Sequence, residues 1–204
     1  MGSCKNFFFI FCFLIFTLDI CSAQEISGEA ALKWRMALLK QNGLVYESIP
    51  FSTAISMTRR DVYRLYLGFD FKGCCYIIEE DDEGKLPFVL RRTVSPGDSI
   101  TLPGEDRDFK AAEVPGTSRL YVIVSAEPRQ NLERLIEQYD RGAVPASLER
   151  SLLSEVLAVR RNVSSLPETP EISAPPMEGD PAFRGELYLF EGRDTRVITV
   201  TIRN

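Results

Sequence analysis

The chain contains no histidine among its 204 residues. That absence removes the usual general base near neutral pH, the commonest metal ligand and every Ser-His or Cys-His nucleophile pair. Cysteine is scarce as well. Cys4, Cys12 and Cys21 fall at the N-terminus, and only the neighbours Cys74 and Cys75 lie in the body of the chain. Adjacent residues of a strand point to opposite faces, so these two are badly placed to bond each other. A disulfide framework is excluded, and a tetrahedral zinc site lacks ligands. One of the pair is expected in the core and the other on the second face of its strand. An intermolecular disulfide through the outward thiol is the alternative. There is no glycine-rich phosphate loop with its lysine and no dinucleotide fingerprint, so no cofactor is implied.

Positive charge is in short supply. Twenty-four Lys and Arg stand against 29 Asp and Glu, a net charge of -5. Such a chain has no electrostatic reason to seek nucleic acid. The pairs Arg59-Arg60, Arg91-Arg92 and Arg160-Arg161 are scattered and read as solvated faces. Long apolar runs are missing past the N-terminus, so nothing there is expected to cross a bilayer.

The N-terminus itself reads MGSCKNFFFIFCFLIFTLDICSAQE. Lys5 supplies a positive start, and residues 7–18 form an apolar stretch of signal-peptide length, too short for an ordinary span. Cys21-Ser22-Ala23 offers small residues to a signal peptidase, so residues 1–23 are expected to be a leader cleaved after Ala23. The alternatives are an uncleaved membrane anchor and a lipoprotein acylated on Cys21; the bulky Ile20 fits the latter poorly. The mature chain is then expected to be exported.

At 45% hydrophobic and 26% charged residues, the rest has the composition of one folded domain with additions. Residues 27–42, within an N-terminal segment 24–43, predict a helix capped by Ser27 and ended by Gly43. Residues 44–161 form the main body. In DVYRLYLGFDF, the residues Tyr63, Leu65, Leu67, Phe69 and Phe71 alternate with more polar ones, the period of a half-buried strand. A tight turn at Lys72-Gly73 then predicts that CCYIIEE returns as its partner strand. KLPFVLRR and SITL read as further strands, with a turn at Pro96-Gly97-Asp98 between them. In SRLYVIVSAE, Leu120, Val122 and Val124 face one way and Tyr121 and Ile123 the other, which predicts a central strand covered on both faces.

Two helices follow, carrying Leu132, Leu135, Ile136 and Tyr139, then Leu148, Leu152, Val156 and Val159. Residues 162–182 are rich in proline and read as a linker or arm, with a sequon at Asn162-Val163-Ser164. Residues 183–204 predict a hairpin turning at Gly192-Arg193-Asp194, with Ile198, Val200 and Ile202 on one face. A hairpin of that size must add to the main sheet or to another chain.

Candidate chemistry is thin. Ser125 ends an apolar strand just before a helix, where some hydrolases place a nucleophile. It lacks the flanking glycines of a nucleophile elbow, so it reads as a strand end or helix cap. The run Glu79-Glu80-Asp81-Asp82-Glu83 lacks the spacing of a calcium loop and reads as a solvated hairpin tip. No catalytic residue and no metal ligand is assigned. The residues singled out for partner contact are Tyr66, Tyr76 and Tyr121, since an exposed tyrosine supplies rigid area at little entropic cost; the plainer alternative is that all three are ordinary sheet residues.

The segments DVYRLYLGFDFKGCCYIIEED, VSPGDSITLP and FKAAEVPGTSRLYVIVSAEP resemble the bacterial domain of unknown function 4384. The likeness spans about residues 50–137, and its most specific parts are Gly97 to Pro103 and Pro115 to Pro128. The resemblance implies a small β-rich domain of envelope or secreted proteins, with no catalytic residues to carry over, and with the leader it places the expected location in the periplasm or cell envelope.

These readings together predict an α+β fold. An antiparallel sheet or sandwich of about six strands forms the core, with helices packed on one side. The expected function is a non-enzymatic, exported envelope protein whose β-rich module binds another envelope protein or a ligand of the envelope, and no nucleic acid. It would touch the membrane only through an uncleaved leader or lipid on Cys21. The alternatives are a carboxylate-based enzyme and an assembly component that uses the Pro-rich arm.

Overall fold

The structure, a computed structural model, describes residues 31–52, 54–58, 60–104, 108–111, 116–142, 144–163, 171–173 and 183–203. The leader with its cleavage site and Cys21, the proposed cap Ser27, and most of the Pro-rich arm lie outside the described residues.

Thirteen strands and two helices are described, in the order β1 (Ala31–Asn42), β2 (Val45–Ile49), β3 (Ala54–Ser56), β4 (Val62–Phe69), β5 (Gly73–Glu80), β6 (Phe88–Val94), β7 (Ser99–Leu102), β8 (Phe109–Lys110), β9 (Thr117–Ser125), α1 (Gln130–Asp140), α2 (Ala146–Asn162), β10 (Glu171–Ser173), β11 (Phe183–Arg184), β12 (Leu187–Arg193) and β13 (Thr195–Arg203). They form two stacked sheets with the helices on the outside of one, so the fold is α+β as the patterning predicts.

The first sheet is organised around β1 and β4, which pair along Trp34–Phe69 to Lys40–Tyr63. The free side of β1 is shared by β12 and β2, and the free side of β4 by β7 and β8. The second sheet runs β3-β13-β9-β5-β6. Almost all pairs are antiparallel; β11 with β2 and β13 with β3 are parallel.

The helix expected over residues 27–42 is a strand wherever it is described. Leu32, Trp34, Met36 and Leu38 point inward and are buried, while Lys33 and Arg35 alternate with them on the other face. Ala, Leu, Lys and Met favour helix in isolation, but β1 is paired on both edges, and tertiary pairing outweighs a weak local preference. Gly43, at φ +65°, turns β1 into β2 in a two-residue hairpin loop.

Two expected hairpins are instead crossings between the sheets. Phe69 ends β4 in the first sheet, and Gly73 opens β5 in the second. Gly73 serves a close approach here, since a Cβ on it would lie 2.3 Å from the Ser125 carbonyl oxygen. Likewise β12 pairs with β1 while β13 pairs with β9. The single connecting residue, Asp194, sits at φ +57°, and its carbonyl accepts a hydrogen bond from the Ala126 N–H at 2.8 Å. Turn chemistry is the same for a hairpin as for a corner. Which one forms is decided by the two apolar faces that must be buried against each other.

The main core fills the space between the sheets. From the first sheet it takes Leu32, Trp34, Leu65, Leu67, Phe69 and Phe190. From the second it takes Cys75, Ile77, Leu120, Val122, Val124, Val200 and Ile202. The outer face of the second sheet, with Tyr76, Ile78, Tyr121 and Ile123, is covered by Leu132, Ile136, Leu152, Val156 and Val159 of the helices. β9 is therefore central and buried on both faces, as its sequence predicts.

Candidate functional site

The three tyrosines sit in β4, β5 and β9 as sheet residues. Tyr76 is fully buried and Tyr121 nearly so, both beneath the helices. They are not exposed contact residues, because the helical pair covers the face they occupy. Tyr66 lies half-buried on the outer face of the first sheet, against Ala37, Leu39, Tyr46 and Leu187. The three are not brought together.

Each buried phenol instead fastens a layer. The Tyr76 hydroxyl donates to Glu133 Oε1 at 2.6 Å and accepts from the Arg129 N–H at 3.0 Å. The other oxygen of Glu133 takes Arg91 Nη1 from β6 at 2.6 Å. Tyr121 donates to Glu80 Oε2 at 2.6 Å, and Arg119 reaches the same oxygen at 3.3 Å. At the far end, Tyr139 donates to the Leu86 carbonyl at 2.5 Å, and the Leu86 N–H donates to Glu149 Oε1 at 3.2 Å. Burial and the acceptor Glu133 raise the Tyr76 pKa. Burial and then Glu80 push Tyr121 up to about 12. Both stay neutral donors at physiological pH.

A similar set lies on the first sheet. Asp108 Oδ1 accepts from Tyr46 and from Arg64 Nε, each at 2.6 Å, and the Arg64 guanidinium sits 4.4 Å above the Tyr46 ring. Burial alone would raise the Asp108 pKa, but those two hydrogen bonds and the arginine charge prevail and lower it. This is a structural tie between β2, β4 and the segment before β8.

Ser125 is buried, and its hydroxyl bonds the Thr195 hydroxyl at 2.9 Å, joining β9 to β13. Cys74 and Cys75 lie on opposite faces as expected, in the helix-side and inter-sheet cores. Both are free and buried, so the outward thiol is covered by the helices. Burial raises both thiol pKa values.

The acidic run is less solvated than its composition suggests. Glu80 is buried on Tyr121, and Asp81 accepts from the Glu83 and Lys85 N–H groups to shape the turn. Glu79 is half-buried; burial, then the Asp81 charge, raises its pKa. Among the described residues, no three His, Cys, Asp or Glu side chains could hold a metal ion together.

Two features remain open to solvent, and sequence reasoning identified neither as a contact surface. The first is the outer edge of β6. Among the described residues this seven-residue strand pairs only with β5, whereas the other outermost strands, β3, β7, β8, β10 and β11, have two to four residues. The second is a groove of about 860 Å³ between α1 and α2, with Arg134 on one wall and Arg150 on the other. Both arginines are exposed. Helical periodicity announced the helices, but nothing local distinguishes their outward face.

Comparison with protein-family models, curated proteins and solved structures gives no match to this chain.

Proposed function

We propose that this chain is an exported, non-enzymatic bacterial envelope protein whose β-rich body binds another envelope protein. The apolar leader at residues 7–18 supports export, and the resemblance of residues 50–137 to domain of unknown function 4384 supports an envelope setting. The observation that carries the binding role is the open edge of β6. An edge strand presents unpaired N–H and C=O groups, and an extended partner segment adds to it through main-chain hydrogen bonds. Arg92 on this strand is exposed; it discourages a positively charged strand from pairing there and favours one that brings a carboxylate.

In a strand, successive N–H groups point to opposite sides, so one of Arg92 and Thr93 donates toward β5 and the other outward. Proline at the outward position is expected to leave the melting temperature nearly unchanged. It should also remove the adduct formed by an in-cell photocrosslinker placed in β6. Crosslinks that survive both proline variants, or a body that forms none, overturn the edge reading. Recovery of the protein in the cytosol with residues 1–23 attached overturns export.

A further inference from the structure

We propose that the groove between α1 and α2 binds an acidic polypeptide segment of a partner protein. The inference rests on the reading that the protein binds another protein, but it uses a different surface from the β6 edge.

The argument is a partition of charge. Three carboxylates of the helices are turned toward the second sheet and its β5–β6 hairpin. Glu133 is held by Tyr76 and Arg91, Glu137 lies 3.5 Å from Arg91, and Glu149 accepts from the Leu86 N–H. Two arginines of the same helices are turned the other way. Arg134 from α1 and Arg150 from α2 line the groove, exposed, and form no ion pair among the described residues. Glu155 is the one carboxylate in the lining. A chain of net charge -5 thus presents two unpaired guanidiniums, one on each wall, across a floor that includes Leu135.

That combination selects the occupant. Unpaired guanidiniums take carboxylates in forked, charge-assisted pairs. The groove is open along its length and has side-chain amides and hydroxyls such as Asn131 and Ser154, which suit a chain rather than a compact anion. Nucleic acid is disfavoured by the acidity of the rest of the surface. A short peptide feels mainly the charges within a Debye length, about 8 Å at physiological salt.

The test uses the purified full chain and a labelled peptide of glutamate, alanine and leucine, about 12 residues long so that it spans several helical turns. Titration by NMR is expected to shift the amides of Asn131, Arg134 and Ser154. The double variant Arg134→Glu/Arg150→Glu should weaken binding roughly tenfold or more while the melting temperature holds, since both side chains are exposed. A lysine-for-glutamate peptide should not bind. Unchanged affinity in the double variant, equal binding of the lysine peptide, or a groove occupied by a second copy in sedimentation each overturns the proposal. The proline variants of β6 should leave this titration intact. A failure here with β6 crosslinking preserved therefore sinks the groove alone.

Discussion

The two faces of the second sheet are built from the same strands and hold their neighbours in different ways. Toward the first sheet, β9 sends Leu120, Val122 and Val124 into a broad, largely apolar core. Toward the helices it sends Tyr121 and Ile123, and beside them Tyr76 rises from β5. The inter-sheet face relies on area, which is non-directional. The helical face covers less and adds phenol–carboxylate bonds that fix where each helix sits. A helix packed by area alone can slide or roll; Glu133, gripped by both Tyr76 and Arg91, pins α1 at one place.

Removing area should cost most. Leu67 is fully buried between the sheets, and Leu67→Ala is expected to lose about 2–5 kcal/mol, a fall of about 5–15 °C in melting temperature. A loss below about 1 kcal/mol in chemical denaturation would mean that the sheets are loosely packed there.

Removing a directional bond should cost less and act locally. Tyr76→Phe keeps the ring but strips the donor from Glu133 and the acceptor from the Arg129 N–H, at about 1–3 kcal/mol. Hydrogen exchange should quicken in α1 and leave β1 and β4 slow. Cys74, on the helix side, should then react with a thiol reagent before Cys75 does. Equal acceleration in both layers would erase the distinction between the faces.

The smallest effect is one of pH. Burial raises the folded-state pKa of Glu79, so the folded chain holds that proton more tightly than the unfolded one. The sign follows: stability is lost as pH rises from the unfolded value, about 4.3, through the raised folded value. Asp61 and Asp108, with lowered values, contribute in the opposite sense and lose their contribution in acid. Glu79→Gln should therefore raise the melting temperature at neutral pH, with the gain vanishing below about pH 4. A gain that persists in acid would point to packing rather than charge.

How much of this was legible in the sequence depends on how local each cause is. The alternation of Tyr63 to Phe71 and the two-faced run of residues 117–125 are period-2 signals, and both strands form, the first ending at Phe69. The helical stripes of α1 and α2 are equally plain. Residues 31–42 carry the same alternation in Leu32, Trp34 and Met36, but helix-favouring neighbours masked it. The corners at residues 70–72 and at Asp194 look like hairpin turns because the signal for a turn does not say which sheet receives the next strand. The Tyr76–Glu133 lock joins residues 57 positions apart, and the groove depends on which way arginines point after the acids are engaged. Neither is written in any window of sequence.

The corner at Asp194 also sets how the body would carry a load. Ala31 pairs with Arg193, so β13 starts beside the first described residue and runs about 30 Å to Arg203 at the other end of the sandwich. The two ends of the body thus belong to different sheets and lie at opposite poles. Tension drawn between them runs along the strands, loading many ladder bonds at once in shear instead of unzipping them one by one.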